Sequence, residues 1–212
     1  KYWDRVEKEQ PASGSICLDR MLENGGYIYG SQLRDYNQEG GVVDQLSILI
    51  HNILELKKDP NHPLGRRLKC EFWNPVEHLK VKGLTAALSA CHTGFQVVVI
   101  GDVLNLHFSM RSNDVFLGAP YNIASYAALA HIIAKITGLQ VGELSYHGAD
   151  VHLYSNHKEQ ALEQLSRYPN QAIPELVLPN ITCIDGLQYL TCKDFKIENY
   201  FPQNPIKAPQ AS

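Results

Sequence analysis

Cys91 and His92 stand side by side, and a second group of chemically capable residues begins at Met110 and runs through Arg111, Ser112, Asp114 and Asn122 to Tyr126. The first pair offers a sulfur nucleophile. The second offers a guanidinium, hydroxyls, a carboxylate and one amide at fixed spacing. Together they have the means to hold an anionic nucleotide and attack its base.

Each residue also has a plainer reading. Cys91 attacks an electrophilic carbon only as a thiolate, which needs an Arg, a His or a helix terminus nearby. A cysteine in isolation is more often a small buried hydrophobe. Arg111 and Ser112 combine a bidentate phosphate fork with a hydroxyl donor. Arg66 and Arg67 form a second phosphate candidate, or simply a solvated charge pair. Asn122 carries both a donor and an acceptor, so it can read a base edge with one of each; the plainer alternative is a helix cap. His152 and Tyr154, two apart on an expected strand, share one face and can donate to a sugar hydroxyl. Alternatively they are a half-buried polar face. His147, Asp150 and His157 raise a zinc reading, but no recognised ligand spacing accompanies them, so no metal is expected.

The chain that must position these groups has 212 residues, one large domain or two small ones, with 44% hydrophobic residues and a net charge of −3. A broad basic surface for DNA is therefore not expected, and any phosphate site must be local. The five cysteines (17, 70, 91, 183 and 192) show no paired spacing. That pattern suits free thiols in a reducing cytoplasm. No apolar run approaches the roughly 18 residues that span a membrane.

Residues 8–27 are polar and Gly-rich and read as a loop. Residues 43–58 predict a helix, with Leu46, Leu49, Ile50, Ile53, Leu54 and Lys57 at helical spacing and Asp44 at its start. Pro60 and Pro63 stop it. Residues 66–73 predict a strand with Leu68, Cys70 and Phe72 on one face. Strands at 95–100 and 103–111 follow, joined by a Gly101-Asp102 turn. In the second, Leu104, Leu106, Phe108 and Met110 face one way; Asn105, His107, Ser109 and Arg111 face the other. Residues 124–137 predict an apolar, buried helix stopped by Gly138. Residues 151–155 predict a strand, after which Asn156 caps a helix with Glu159 at capping-box spacing. The tail from Pro169 is Pro-rich with short strands. The expected architecture is one α+β domain over 1–212, a mostly antiparallel sheet packed with helices.

Taken together these residues resemble the thymidylate synthase family. The matching blocks are Tyr29 to Gln32, Val43 to Leu46, Arg66-Arg67, Phe72 to Pro75, Cys91-His92 with Gln96, Arg111 to Asp114, Leu117-Gly118 with Asn122 to Tyr126, His152 to His157, and Ile206 to Pro209. The block from Leu117 to Tyr126 is the most specific. The resemblance implies a thymidylate-synthase-like fold whose sheet face forms a homodimer interface. It implies one-carbon transfer from 5,10-methylenetetrahydrofolate to position 5 of dUMP through a Cys91 adduct, in the cytoplasm (the host's, if phage-encoded).

The resemblance also implies roles. Tyr29 belongs to the network that removes the position-5 proton, and His92 and Gln96 support the nucleophile, Gln96 being counted with the substrate-binding residues. Arg111 and Ser112 bind phosphate, with Arg66 and Arg67 supplied by the partner subunit. Asn122 reads the uracil edge, and His152 and Tyr154 hold the 3′-hydroxyl. Asp114 serves both substrate and folate. Trp3, Leu117, Gly118, Tyr121 and Ala211 line the folate site.

The sequence departs from the family pattern at several points. Ala90 replaces the usual Pro, Met110 the usual Gln, and Val97-Val98 an aromatic pair. Val6 follows Trp3-Asp4 where many members carry a second Trp, and the last residue is Ser212 instead of Val or Ile. A polar terminus closes the site less well against water, so a dUMP hydroxymethyltransferase giving 5-hydroxymethyl-dUMP and tetrahydrofolate is the alternative activity. Asn122 favours uracil, since a related deoxycytidylate enzyme places an acidic residue there. The family's N-terminal phosphate loop and catalytic Glu have no match here and are expected to precede Lys1. An inactive nucleotide-binding homolog is the third reading.

Overall fold

The computed structural model describes residues 29–38, 41–75 and 90–210. The expectations for Trp3, Asp4, Val6, Cys17, the 8–27 loop, Ala211 and Ser212 lie outside the described residues.

A short helix α1 (Gly30–Arg34) leads into β1 (Tyr36–Gln38) and β2 (Gly41–Val43), an antiparallel pair. Helix α2 (Gln45–Lys58) follows. Asp44 caps it, accepting from the Ser47 amide at 3.0 Å, and pairs with Arg34 at 2.9 Å. Its buried stripe, Leu46, Leu49, Ile50 and Ile53, is the one that helical spacing predicts.

Strands β3 (Lys69–Glu71), β4 (His92–Ile100), β5 (Val103–Asp114) and β6 (Gln140–His152) form the central sheet in that order. The first two pairings are antiparallel and the last is parallel. Helix α3 (Gly118–Thr137) makes the crossover from β5 to β6 and packs on both. Gly138 ends it in the left-handed region at φ 63, its N–H bonded to Ala134 and Lys135 carbonyls. Helix α4 (Lys158–Ser166) and the small β7 (Glu175–Val177)–β8 (Lys196–Glu198) pair complete the fold.

The core lies between the sheet and the helices α2 and α3. Leu68, Leu104, Leu106, Ile53 and Ile133 are fully buried there, each contributing about 1.5–3 kcal/mol relative to exposure. On β5, Leu104, Leu106, Phe108 and Met110 all face this core, as the alternation predicts.

Four expectations need correction. Residues 66–73 are not one strand: Pro63–Arg66 is a 3-10 turn, and β3 spans only Lys69–Glu71. Pro63 favours the turn, and the His62 ring accepts from the Leu64 amide at 3.4 Å. The face assignment still holds, because Leu68, Cys70 and Phe72 are all buried. Residues 151–155 are not a separate strand. They meet the end of β6, which stops at His152 and leaves Tyr154 outside. The body of β6 contains Gly142 and Gly148 and only a short apolar–polar alternation over 143–147, so the local signal is weak; pairing with β5 makes it a strand. Asn156 does not cap α4, for a 3-10 turn (Ser155–His157) precedes that helix and no side chain caps it. Helix α3 begins at Gly118 instead of near 124 and is not buried all round. It buries a stripe through Tyr126, Ala130 and Ile133 and exposes Ile123. Pro120 sits in its first turn, where no backbone N–H has a helical partner to lose.

Gly94 sits at the irregularity between His92 and Gly94 in the β4–β5 ladder. A Cβ there would lie 2.5 Å from the Cys70 carbonyl oxygen of the neighbouring strand. Gly94→Ala is expected to destabilise the fold by about 1–3 kcal/mol, read as a lower urea midpoint. An unchanged midpoint would show that the two strands are free to separate.

Candidate active site

Strand pairing places the nucleophile. The Arg111 amide donates to the Cys91 carbonyl at 2.9 Å, and Arg111 Nε donates to the Ala90 carbonyl at 2.8 Å. The guanidinium therefore folds back along its own ladder, and its Nη2 lies 4.0 Å from Cys91 Sγ. Arg111 also lies over the Trp73 ring, 5.7 Å from its centroid. Cys91 is half-buried, whereas Cys70 is fully buried and has its thiol pushed up to about 12 by burial first and by Asp44 and Glu71 second. Of the two, only Cys91 has a cation beside it and access to solvent.

Tyr29 sits against Cys91 from the other side. Its hydroxyl accepts from the Cys91 amide at 2.9 Å. Its backbone is at φ 36, in the left-handed region that a tyrosine rarely occupies. That strain at a site residue is of the kind that surrounding packing must hold in place. Burial raises the Tyr29 pKa, and the Cys91 and His92 amides only partly offset this.

A cavity of about 270 Å³ is lined, among the described residues, by Tyr29, Phe72, His92, Asn122, Ser125, Tyr126 and Leu129. That is close to the smallest volumes typical of ligand pockets. Its walls are mainly apolar, with a few polar atoms converging from β4 and α3. Asn122 lies inside α3, so it is not a cap; its Nδ2 meets His92 Nε2 at 3.2 Å. His92 Nδ1 meets the Tyr126 hydroxyl at 3.0 Å. Burial lowers the His92 pKa to about 4, so the ring is neutral at pH 7.

A second polar group gathers where β5 and β6 run parallel. Ser112 Oγ donates to Asp150 Oδ2 at 3.3 Å, and the His152 ring meets the Asp150 carbonyl at 3.2 Å. His152 and Tyr154 still touch, edge to face at 4.9 Å, although only the first is on the strand. Asp114 Oδ1 accepts from the amides of Phe116 and Leu117 at 3.0 and 3.4 Å and so turns the chain into α3. Gly118 lets that turn pass close to two amides: a Cβ would meet Asn113 Oδ1 at 3.3 Å and Asn122 Oδ1 at 3.4 Å.

Other expected site residues lie apart from this centre. Arg66 and Arg67 are exposed and line a different cavity of about 570 Å³, together with His62 and Val99. Gln96 is exposed on the sheet face away from Phe95 and Val97, opposite His107. Tyr121 is 76% exposed. His157, weighed above as a metal ligand, is fully buried and bonds the Pro209 carbonyl at 2.6 Å, tying the tail to the start of α4. Among the described residues no three His, Cys, Asp or Glu side chains converge as metal ligands. None of their helices is long and apolar enough to cross a membrane.

Sequence reasoning assigned no role at the site to Tyr126, Trp73 or Asn113, and weighed Asp150 only as a metal ligand. Tyr126 was legible, since the i, i+4 spacing from Asn122 puts both on one helix face. Asn113 is buried and donates to Tyr146 Oη at 2.9 Å. Its contact and that of Asp150 cross between parallel strands, which no local pattern announces.

The His92 environment gives a signed expectation. With a folded value near 4 against about 6.5 unfolded, the unfolded chain takes up a proton that the folded chain does not. The stability contributed by keeping this ring neutral is present above about pH 6.5 and lost as pH falls toward 4. A 15N-resolved titration should find His92 neutral from pH 7 to 5; a midpoint near 6.5 would contradict the burial argument.

Comparison with known proteins agrees with this architecture. The thymidylate synthase family matches residues 1–212. A thymidylate synthase from Listeria monocytogenes serovar 1/2a (strain ATCC BAA-679 / EGD-e) is 43% identical over 187 residues, covering 87% of this chain and 54% of the relative. The chain thus spans about half the length of that curated relative. A thiol beside a guanidinium, next in the chain to a neutral histidine that meets an amide from α3, on a mixed α+β frame matched over its whole length, leads to one assignment: the chain belongs to the thymidylate synthase family.

Proposed function

We propose that the protein is a thymidylate synthase: it transfers one carbon from 5,10-methylenetetrahydrofolate to position 5 of dUMP and releases dTMP and dihydrofolate. The observation that carries this reading is the Cys91 thiol beside the Arg111 guanidinium, one residue from a neutral His92 that lines a ring-sized cavity with Asn122. The name of the Listeria relative favours methyl transfer over release of a hydroxymethyl product.

In this mechanism Cys91 adds to ring position 6, which makes position 5 nucleophilic. That carbon attacks the folate methylene, which parts from one folate nitrogen. Loss of the position-5 proton through the network that includes Tyr29 then breaks its bond to the other nitrogen and frees tetrahydrofolate. Hydride from that tetrahydrofolate adds to the exocyclic methylene as the C–S bond breaks, leaving dTMP and dihydrofolate. Arg111 and Ser112 hold the phosphate, and Asn122 reads the base. His152 and Tyr154 hold the sugar hydroxyl, with Asp114, Leu117, Gly118 and Tyr121 toward the folate. His92 supports the nucleophile, and Gln96, set apart on the exposed sheet face, is left to the interface proposed below. The physical logic is that an anionic monoester needs forked donors, and the enolate of the adduct needs fixed ones.

Trapping tests the nucleophile. 5-Fluoro-dUMP with the folate is expected to form a covalent complex with the full-length protein, visible by mass, and Cys91→Ala to form none. Product analysis with dUMP is expected to give dTMP; 5-hydroxymethyl-dUMP or no turnover would reject the proposal.

We also propose a homodimer in the cytoplasm, with the sheet face that bears Gln96, Val98, Asn105 and His107 as the interface, and Arg66 and Arg67 reaching the partner's phosphate site. The exposure of both arginines away from Cys91 of their own chain supports this. Isologous pairing makes it testable. Mixing a Cys91→Ala chain with an Arg66→Ala/Arg67→Ala chain, each nearly inactive alone, is expected to restore roughly a quarter of the activity, because one site of each mixed dimer is intact. No restoration would mean that the arginines serve their own subunit or none.

A further inference from the structure

Residues 201–210 run past the β7–β8 pair with no helix or strand. No ladder fixes this backbone, so its place depends on side chains that reach it. Near its start two exposed bonds do so. Gln203 Nε2 donates to the Tyr168 carbonyl at 2.5 Å, and Arg167 Nη1 donates to the Asn204 carbonyl. Water competes for both. Near its end the holder is of another kind. His157 is fully buried, and its Nε2 meets the Pro209 carbonyl at 2.6 Å. A carbonyl only accepts, so Nε2 carries the proton and donates. Nδ1 is buried with no hydrogen-bond partner among the described residues. The ring's one polar contact is therefore with the tail.

The body of the same ring packs on the candidate site. Tyr154 meets it edge to face at 5.8 Å and 81°, and Phe116 lies against it at 5.6 Å. Phe116 is the residue before Leu117 and Gly118, where α3 begins, and Asp114 Oδ1 holds its amide at 3.0 Å. One buried side chain thus joins the tail to the turn that the proposed function sets toward the folate.

We propose that His157 is a positioning residue for the folate: its Nε2–H latches the tail at Pro209 against the turn into α3, and the tail so held completes the folate side of the site. This rests on the folate reading above. Without the donor, the Pro209 carbonyl turns to water and the tail leaves. Binding of dUMP stays as it was, provided a ring still packs against Tyr154 and Phe116.

His157→Phe keeps a ring and removes the donor. His157→Gln puts an amide N–H where Nε2 stands. Three quantities are measured on the full-length protein and both variants: KM for 5,10-methylenetetrahydrofolate, calorimetric affinity for dUMP, and 15N order parameters of the Ala208 and Gln210 amides. His157→Phe is expected to raise the folate KM about three- to tenfold, as one lost hydrogen bond does, with dUMP affinity unchanged. Its tail order parameters are expected to fall from about 0.85 to below about 0.6. His157→Gln is expected to restore both. A folded Phe variant with an unchanged folate KM, with a tail as rigid as in the wild type, or with equal losses of folate and dUMP binding overturns the proposal. If the Phe variant does not fold, His157→Asn, whose amide stops at the Nδ1 position, replaces it: a raised folate KM in the Asn variant and not in the Gln variant supports the latch, and equal values overturn it. If the wild type does not turn over dUMP with the folate, the functional reading falls. The order parameters still decide the latch: a tail mobile only without the donor supports it, and a tail rigid in every variant overturns it.

Discussion

The register between β4 and β5 is the constraint on which the site depends. In it, His92 stands opposite Met110, and the Arg111 amide bonds the Cys91 carbonyl. These contacts bring the thiol, in the bend just before β4, within 4.0 Å of a guanidinium on β5. Side chains alternate along a strand, so a slip of one residue would send Arg111 into the core and Met110 toward the sulfur. The burial of Leu104, Leu106, Phe108 and Met110 opposes any such slip. The same apolar face that stabilises the sheet thus holds the charge beside the nucleophile.

Behind that pair is an aromatic layer with a few polar atoms set into it. Tyr126 stacks on Phe108, Phe108 stacks on Tyr146, and Tyr29 and Phe72 close on His92 edge to face. Rings packed this way desolvate the His92 imidazole, which is why it is neutral. Cys91 remains half-exposed beside Arg111. The polar groups needed for chemistry are therefore divided between a dry wall and a charged edge.

Much of this was legible along the chain. The helical stripe of α2, the Asp44 cap, the two faces of β5 and the stop at Gly138 all follow from local spacing and from residues with specific backbone preferences. The motif residues Cys91, His92, Arg111 and Asn122 stand out by type and spacing alone. Less legible were the elements whose stabilisation is not local. Strand β6 has Gly142, Gly148 and alternating polar groups; its partner β5 makes it a strand across a parallel pairing. Helix α3 starts six residues before the apolar run because Gly118 and Pro120, breakers in mid-helix, are harmless in a first turn.

By itself the sequence determined which side chains are available and which faces of each element are apolar, since period and composition are properties of neighbours in the chain. It also carried the family motifs. Only the tertiary structure decided that Tyr126 faces the ring of His92, that Ser112 meets Asp150, that His157 holds the tail, and that Arg66 and Arg67 line another cavity than His92 and Asn122. These contacts join residues that are tens of positions apart or lie in separate cavities. Their geometry depends on how strands register and helices cross, and no local preference encodes that.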